Sequence, residues 1–312
     1  YSEYSTTITN AHQLQLMALD LNADYRVTRD IDASATAGSD LSDMWSTAGF
    51  SPIGNTSTFF TGTFAGLGHT IDGLTIARPG QSYIGLFGAT DSAMLRGIGL
   101  REINITGHNH VGGLVGHPFR SDIADSYATG QVTGNGTVGG LVGGANLSNI
   151  ADSYATGQVT GNDTVGGLMG VANRSDIAAS YATGQVTGDT FVGGLVGLAL
   201  NSSDIAASYA TGQVTGNNSV GGLVAVAANS NIAASYFATT DADGNPINTN
   251  LNTLGTGRTW DQLTQLDTFV GWDIDGQGGT DTVWRIYEGH TTPLLRGFLT
   301  PVTVTANDAT AT

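Results

Sequence analysis

The sequence predicts an all-β chain, a right-handed parallel β-solenoid with three short strands in each rung of about 27 residues and small helical or irregular caps. Two phrases repeated in phase carry this prediction. Val-Gly-Gly-Leu begins at Val111, Val138, Val165, Val192 and Val220, in steps of 27, 27, 27 and 28 residues. Ser-Tyr-Ala-Thr-Gly-Gln-Val-Thr-Gly begins at Ser126, Ser153, Ser180 and Ser208, with an altered fifth copy at Ser235. Helical period is absent from the repeats, whose apolar runs are cut short by Gly, Asn or Asp. A unit this small buries its apolar face only by stacking on its neighbours.

The chain opens with Asn10-Ala11-His12-Gln13, which resembles a helix capping box, and Leu14, Met17, Ala18 and Leu21 follow at helical spacing. Residues 1–107 are therefore read as an N-terminal cap and irregular first rungs, with strands near residues 25–28, 60–64, 69–71 and 74–76. Residues 108–240 hold the regular rungs. Their stacking places three columns in the interior: Ile123, Ile150, Ile177, Ile205 and Ile232; Leu114, Leu141, Leu168, Leu195 and Leu223; Val132, Val159, Val186 and Val214. The register is lost after Tyr236, a helix is expected over 260–268, and residues 241–300 are read as the opposite cap. Residues 301–312 are read as a strand or linker to a following module or subunit, because Pro301, Val302, Thr303, Val304, Thr305 and Ala306 alternate apolar and polar.

Ten basic residues, all arginine, stand against 26 acidic ones, for a net charge of −16. Such a surface repels phosphate backbones and anionic lipid, which excludes nucleic acid as a partner. Without lysine there is no Schiff-base chemistry, and without cysteine no disulfide, thiol nucleophile or thiolate metal site. No stretch reaches the roughly 20 apolar residues of a membrane span, so membrane insertion is not expected. The start at Tyr1, lacking a charged start and apolar signal core, reads as a mature or excised piece. The acidic surface, rich in Gly, Ser, Thr and Asn, points to an extracellular or cell-surface location.

Gly113-Leu114-Val115-Gly116, Gly140-Leu141-Val142-Gly143, Gly167-Leu168-Met169-Gly170 and Gly194-Leu195-Val196-Gly197 resemble the phrase that names the GLUG-repeat modules. The fifth copy departs, with Ala225 in place of glycine. Phe50-Ser-Pro-Ile-Gly54, Gly68-His-Thr-Ile-Asp-Gly-Leu-Thr-Ile76, Val270-Gly-Trp-Asp273 and Val283-Trp-Arg-Ile286 are similar to the segments that flank the repeats in such modules. The resemblance implies a non-enzymatic segment of a large bacterial exoprotein of the filamentous-haemagglutinin-like, two-partner-secretion kind, and it brings no catalytic residues.

Alternation puts Val132 inside and Tyr127, Thr129, Gln131 and Thr133 outside. Stacked rungs then give an outward ladder of Tyr127, Thr129, Thr133, Tyr154, Thr156, Thr160, Tyr181, Thr183, Thr187, Tyr209, Thr211 and Thr215. A flat array of this kind suits sugar stacking or ordered water as well as simple stabilisation, so an ice- or carbohydrate-binding solenoid is the alternative reading. Calcium is considered at the column Asp122, Asn149, Asp176, Asp204 and Asn231 and in the turns at Asp241-x-Asp243-Gly244-Asn245 and Asp273-x-Asp275-Gly276. Ordinary Asx turns are the favoured reading of all three, calcium is the alternative, and no other cofactor is expected. His108, His110 and His117 fall within one repeat and read as exposed turn residues rather than metal ligands. A polysaccharide lyase or hydrolase would need paired carboxylates, or a carboxylate beside a cation, on a groove, and no such pair stands out. The expected role is structural and adhesive, towards host or bacterial surface glycans or proteins or copies of the chain itself, with Pro301–Ala306 as candidate assembly strand.

Overall fold

Each repeat folds into a rung whose strands lie parallel and in register on those of the next. In the computed structural model, which describes residues 3–38, 43–249, 251–278 and 281–300, Ile123 pairs with Ile150, Ile150 with Ile177, Ile177 with Ile205 and Ile205 with Ile232. Tyr127, Tyr154, Tyr181, Tyr209 and Tyr236 align in the same way. The fold is thus a right-handed parallel β-solenoid. The rung is divided more finely than expected, into strand segments that belong to four sheets, because Gly140-Leu141 bends the chain between Thr137–Gly139 and Val142–Asn146, which belong to different sheets.

The three predicted columns fill the interior. Ile123, Ile150, Ile177 and Ile205 are at most 1 % exposed, the five leucines are fully buried, and the Val column is enclosed. Tight corners are built in two ways. Asp125, Asp152, Ala179, Ala207 and Ala234 form a left-handed column with φ between 43° and 50°. Beside it, the hydroxyl of Ser153 accepts from Ser126 N–H at 3.2 Å and donates to Ala151 O, and Ser180, Ser208 and Ser235 repeat the bond on the following rungs. A second serine ladder runs through Ser121, Ser148, Ser175 and Ser203. These fully buried hydroxyls satisfy the backbone groups that the corners remove from the sheets.

At the N-terminal end Asn10 caps the helix Ala11–Leu16, its side chain accepting from Gln13 N–H. Leu14 and Met17 are buried, but Ala18 is exposed: the helix tightens to a 3-10 turn at Met17–Leu19 and stops at extended Asp20, before it reaches Leu21. At the other end the expected cap divides in two. Leu251 and Leu254 pack on the core and Thr256–Arg258 pairs with Tyr236–Ala238, which covers part of the last rung. From Thr259 the chain turns back and runs along the flank of the solenoid. The helix within this return is Trp260–Leu263, with a capping box between Thr259 and Gln262, followed by a 3-10 turn at Leu266–Thr268.

Candidate functional site

The tyrosine ladder sits on the outer face, opposite the buried Ala128, Ala155, Ala182 and Ala210. Rung spacing brings identical rings face to face. Tyr127 and Tyr154 are 4.8 Å apart at 1°, Tyr154 and Tyr181 4.7 Å at 6°, and Tyr181 and Tyr209 5.0 Å at 7°. Four stacked aromatic rings, with Tyr236 aligned beyond them on the last rung, are a large apolar surface, each ring burying on the order of 150–250 Å² when covered.

The returning segment covers it. Phe269 and Trp272 pack on Tyr236 at 5.4 and 5.9 Å, Trp284 on Tyr181 and Tyr209 at 6.0 and 5.8 Å, and Phe298 edge-on to Tyr127 and Tyr154 at 5.4 and 5.0 Å. The Tyr209 hydroxyl donates to Pro293 O at 2.6 Å, and Trp272 Nε1 donates to Ala234 O at 2.7 Å. A small sheet of Ile274–Asp275, Trp284–Arg285 and Leu294–Leu295 stiffens this strap. Burial lifts the Tyr154, Tyr181 and Tyr209 phenols above their ordinary range.

The outward ladder is therefore corrected. Tyr181 and Tyr209 are 8 % and 1 % exposed, Tyr127 and Tyr154 are half-buried, and Thr211 is buried. Thr129, Thr156 and Thr183 are half-buried, and Thr129 accepts from Glu102 N–H at 3.2 Å. What remains exposed is a narrow strip of Gln131, Gln158, Gln185 and Gln213 with Thr133 and Thr215, while Thr160 and Thr187 are partly covered. The sequence shows which face the rings occupy; the cover comes from a segment without any repeat. Pro301–Ala306 lies outside the described residues.

Where the strap meets the first rungs it leaves a groove of about 640 Å³ lined by Leu67, Arg96, Asp125, Tyr127, Phe298 and Leu299. Arg96 and Asp125 form an ion pair at 3.8 Å on its rim, and Leu67 is 63 % exposed. Aromatic surface, an apolar wall and a cation beside a carboxylate converge here. Sequence reasoning missed the groove because its two walls, residues 67–154 and 297–300, are far apart in the chain.

The calcium candidates accept hydrogen bonds from their own turns and from neighbouring rungs. Asn149 donates its amide to Asp122 at 3.1 Å, Asp176 accepts from Asp204 N–H, and Asp204 accepts from Asn231 N–H. Asp241 accepts from the backbone of Asp243 and Asn245 and from the Asn245 amide, which hold its carboxyl below the usual range. Asp275 accepts from Gln277 N–H.

Two of the three histidines meet, and they are not exposed. His110 and His117 lie 5.2 Å apart beside Tyr83, half-buried, while His108 stays outside. His117 Nδ1 donates to Gly144 O at 2.7 Å, and His110 Nδ1 has no partner. Burial and the neighbouring His117 push His110 down to about 4. Unfolded histidine titrates near pH 6.5, so between those values the unfolded chain binds more protons; stability is full above about 6.5 and falls as pH drops toward 4. His12, beside Asp43 and Glu3, is shifted upward and acts in the opposite sense. The thermal midpoint of the wild type is expected to fall more between pH 7 and pH 5 than that of His110→Phe. Equal falls would show that His110 is not the source.

Residues 107–133, 134–160 and 190–215 match the family model described as the GLUG motif, so the chain carries GLUG repeats. Over 99 residues it is 44 % identical to halomucin of Haloquadratum walsbyi (strain DSM 16790 / HBSQ001), a match covering 30 % of this chain and 1 % of that protein. Among solved structures, an IgA1 protease is similar with a TM-score of 0.53 at 20 % identity, over 81 % of this chain and 21 % of that one. A candidate immunoglobulin A1 protease from Bacteroides ovatus is similar with a TM-score of 0.52 at 17 % identity, over 93 % and 92 % of the two chains. At these identities the structural likenesses show the solenoid fold alone. No described helix is long and apolar enough to cross a membrane.

Proposed function

We propose that this chain is a non-enzymatic structural and adhesive segment of a large extracellular or cell-surface protein. The observation that carries the reading is the use of the repeated side chains: the Ile, Leu and Val columns and the tyrosine ladder are consumed in stabilising a stiff rod. A GLUG array matching a small fraction of a very long relative supports the reading of a module that sets distance or presents a contact. The resemblance to filamentous-haemagglutinin-like exoproteins points the same way, and the acidic, lysine-free surface fits an extracellular setting. The contact we assign is the groove between Tyr127, Phe298 and Arg96, whose aromatic wall and charged rim suit surface glycans.

The test is incubation with immobilised polysaccharides and with immunoglobulin A1, reading both retention and fragments. Retention that is lost in Arg96→Ala and Phe298→Ala, with no new reducing ends or peptide fragments, is expected. Fragments from either substrate would overturn the non-enzymatic reading. Retention unaffected by both variants would move the contact elsewhere, and no retention would leave a pure spacer.

A further inference from the structure

The two ends of the solenoid are finished differently. The first strand, Thr7–Ile8, has its free edge taken up by side chains: Ser5 Oγ accepts from Thr7 N–H at 2.9 Å and Gln13 Oε1 from Thr9 N–H at 2.8 Å. The helix that follows lays Leu14 over the core. At the far end, Asn248 accepts from Val214 N–H at 2.8 Å, Asn252 donates to Val220 O at 3.2 Å and to Ala225 O at 2.6 Å, and Thr256–Arg258 closes another part.

Two strands of the last rung remain open apart from the Ala225 carbonyl. Val224–Ala228 and Ile232–Ala233 are the final members of their sheets among the described residues. Ile205 and Ala207 donate to Asn231 O and Ala233 O, whereas the same groups of Ile232 and Ala234 face no further rung. The isoleucine and alanine columns, fully enclosed at Ile205 and Ala199, are only half-buried at Ile232 and Ala227. Residues 225–235 contain no charge and no proline, and Asn231 stands where earlier rungs carry Asp122, Asp176 and Asp204. Sheet edges left free in solution are ordinarily blunted by charge or proline. This one is not.

The last described residues lie at the opposite end. Leu299 and Thr300 line the groove with Leu67 and Gly68, beside the strand Thr63–Ala65. In sheet order that strand is six steps from Ile232–Ala233, about 29 Å at the usual strand spacing, and two steps from Thr7–Ile8, about 10 Å. A six-residue strand spans about 20 Å, less than the distance from Thr300 to the open edge within one copy. When the N-terminal end of a second copy meets that edge, the second copy's Thr300 stands about 10 Å away.

We propose that copies of this chain associate head to tail, with Pro301–Ala306 of one copy adding as a strand to the open edge Val224–Ala228 and Ile232–Ala233 of the next. The alternating Val302, Val304 and Ala306 match an edge of Val, Ala and Ile, and neither partner carries charge. This deepens the structural half of the proposed function and is independent of the glycan groove.

A complementation experiment tests it, read by sedimentation and negative-stain electron microscopy over a concentration series. One variant lacks residues 301–312 and keeps the edge; the other, Ala227→Lys with Ile232→Lys, keeps the tail and places ammonium groups on the edge. Circular dichroism checks that both are folded, and the deletion removes none of the described residues. The wild type is expected to form linear chains, each variant alone to stay single, and a one-to-one mixture to form pairs that grow no further. Single wild-type rods at every concentration, assembly by the deletion variant, or a mixture that stays single would each overturn the proposal. Single rods would leave the spacer and adhesive reading intact.

Discussion

Replacing Trp284 with alanine is expected to cost about 3–5 kcal/mol and to release the strap from the tyrosine ladder. Trp284 is fully buried and touches Tyr181, Tyr209 and Trp272, so its removal opens the centre of the aromatic cluster between strap and ladder. Its indole N–H has no acceptor among the described residues, a defect that itself costs roughly 1–3 kcal/mol. Trp284→Phe, which removes that donor and keeps a ring, should therefore lose well under half as much as the alanine variant. Spectrophotometric titration gives a local readout. The covered phenols resist ionisation in the wild type, whereas in Trp284→Ala a larger share of tyrosine should ionise near pH 10 while the far-ultraviolet β signal persists. Loss of the β signal together with the tyrosine change would mean that strap and solenoid form one cooperative unit.

The second large effect lies in the glycine column beside the ladder. A methyl group at Gly184 would overlap the carbonyl oxygen of Gly157, and Gly157 and Gly212 stand in the same relation to Gly130 and Gly184. The obstacle is backbone held by rungs on both sides, so it cannot swing away as a flexible side chain would. Gly184→Ala is expected to lose more than about 3 kcal/mol, the upper range for overpacking. Gly80→Ala, where the added carbon meets nothing within 4 Å, should be close to neutral. Urea unfolding of the two variants checks this, and equal midpoints would mean that the rung spacing relaxes more readily than the packing implies.

The solenoid was legible because its repeat is nearly invariant. Once Val-Gly-Gly-Leu and Ser-Tyr-Ala-Thr-Gly were set in phase, the columns at Ile123, Leu114 and Val132 followed, and these are the buried positions. The outward parity of Tyr127 followed from the same alternation. The serine ladders were hidden because serine at a Gly/Asn-rich boundary reads as a turn residue, although Ser121 and Ser126 flank Ile123 at the same spacing in each clean rung. Nor was the doubling back of the strap readable, since Phe269, Trp272, Trp284 and Phe298 follow no period. One physical signal was available. A column of five tyrosines beside alanine positions presents more aromatic surface than water favours, and the aromatic residues after Trp260 had no other place to be buried.

The doubling back is the claim on which the covered ladder, the groove and the position of Thr300 all depend. Because the chain has no native cysteine, Leu67→Cys and Leu299→Cys can carry a pair of spin labels without competing sites. The account predicts a label separation under about 20 Å, since both residues line one groove. A separation of about 30 Å or more, the six rungs that would intervene if residues 259–300 merely sealed the far end, would contradict it.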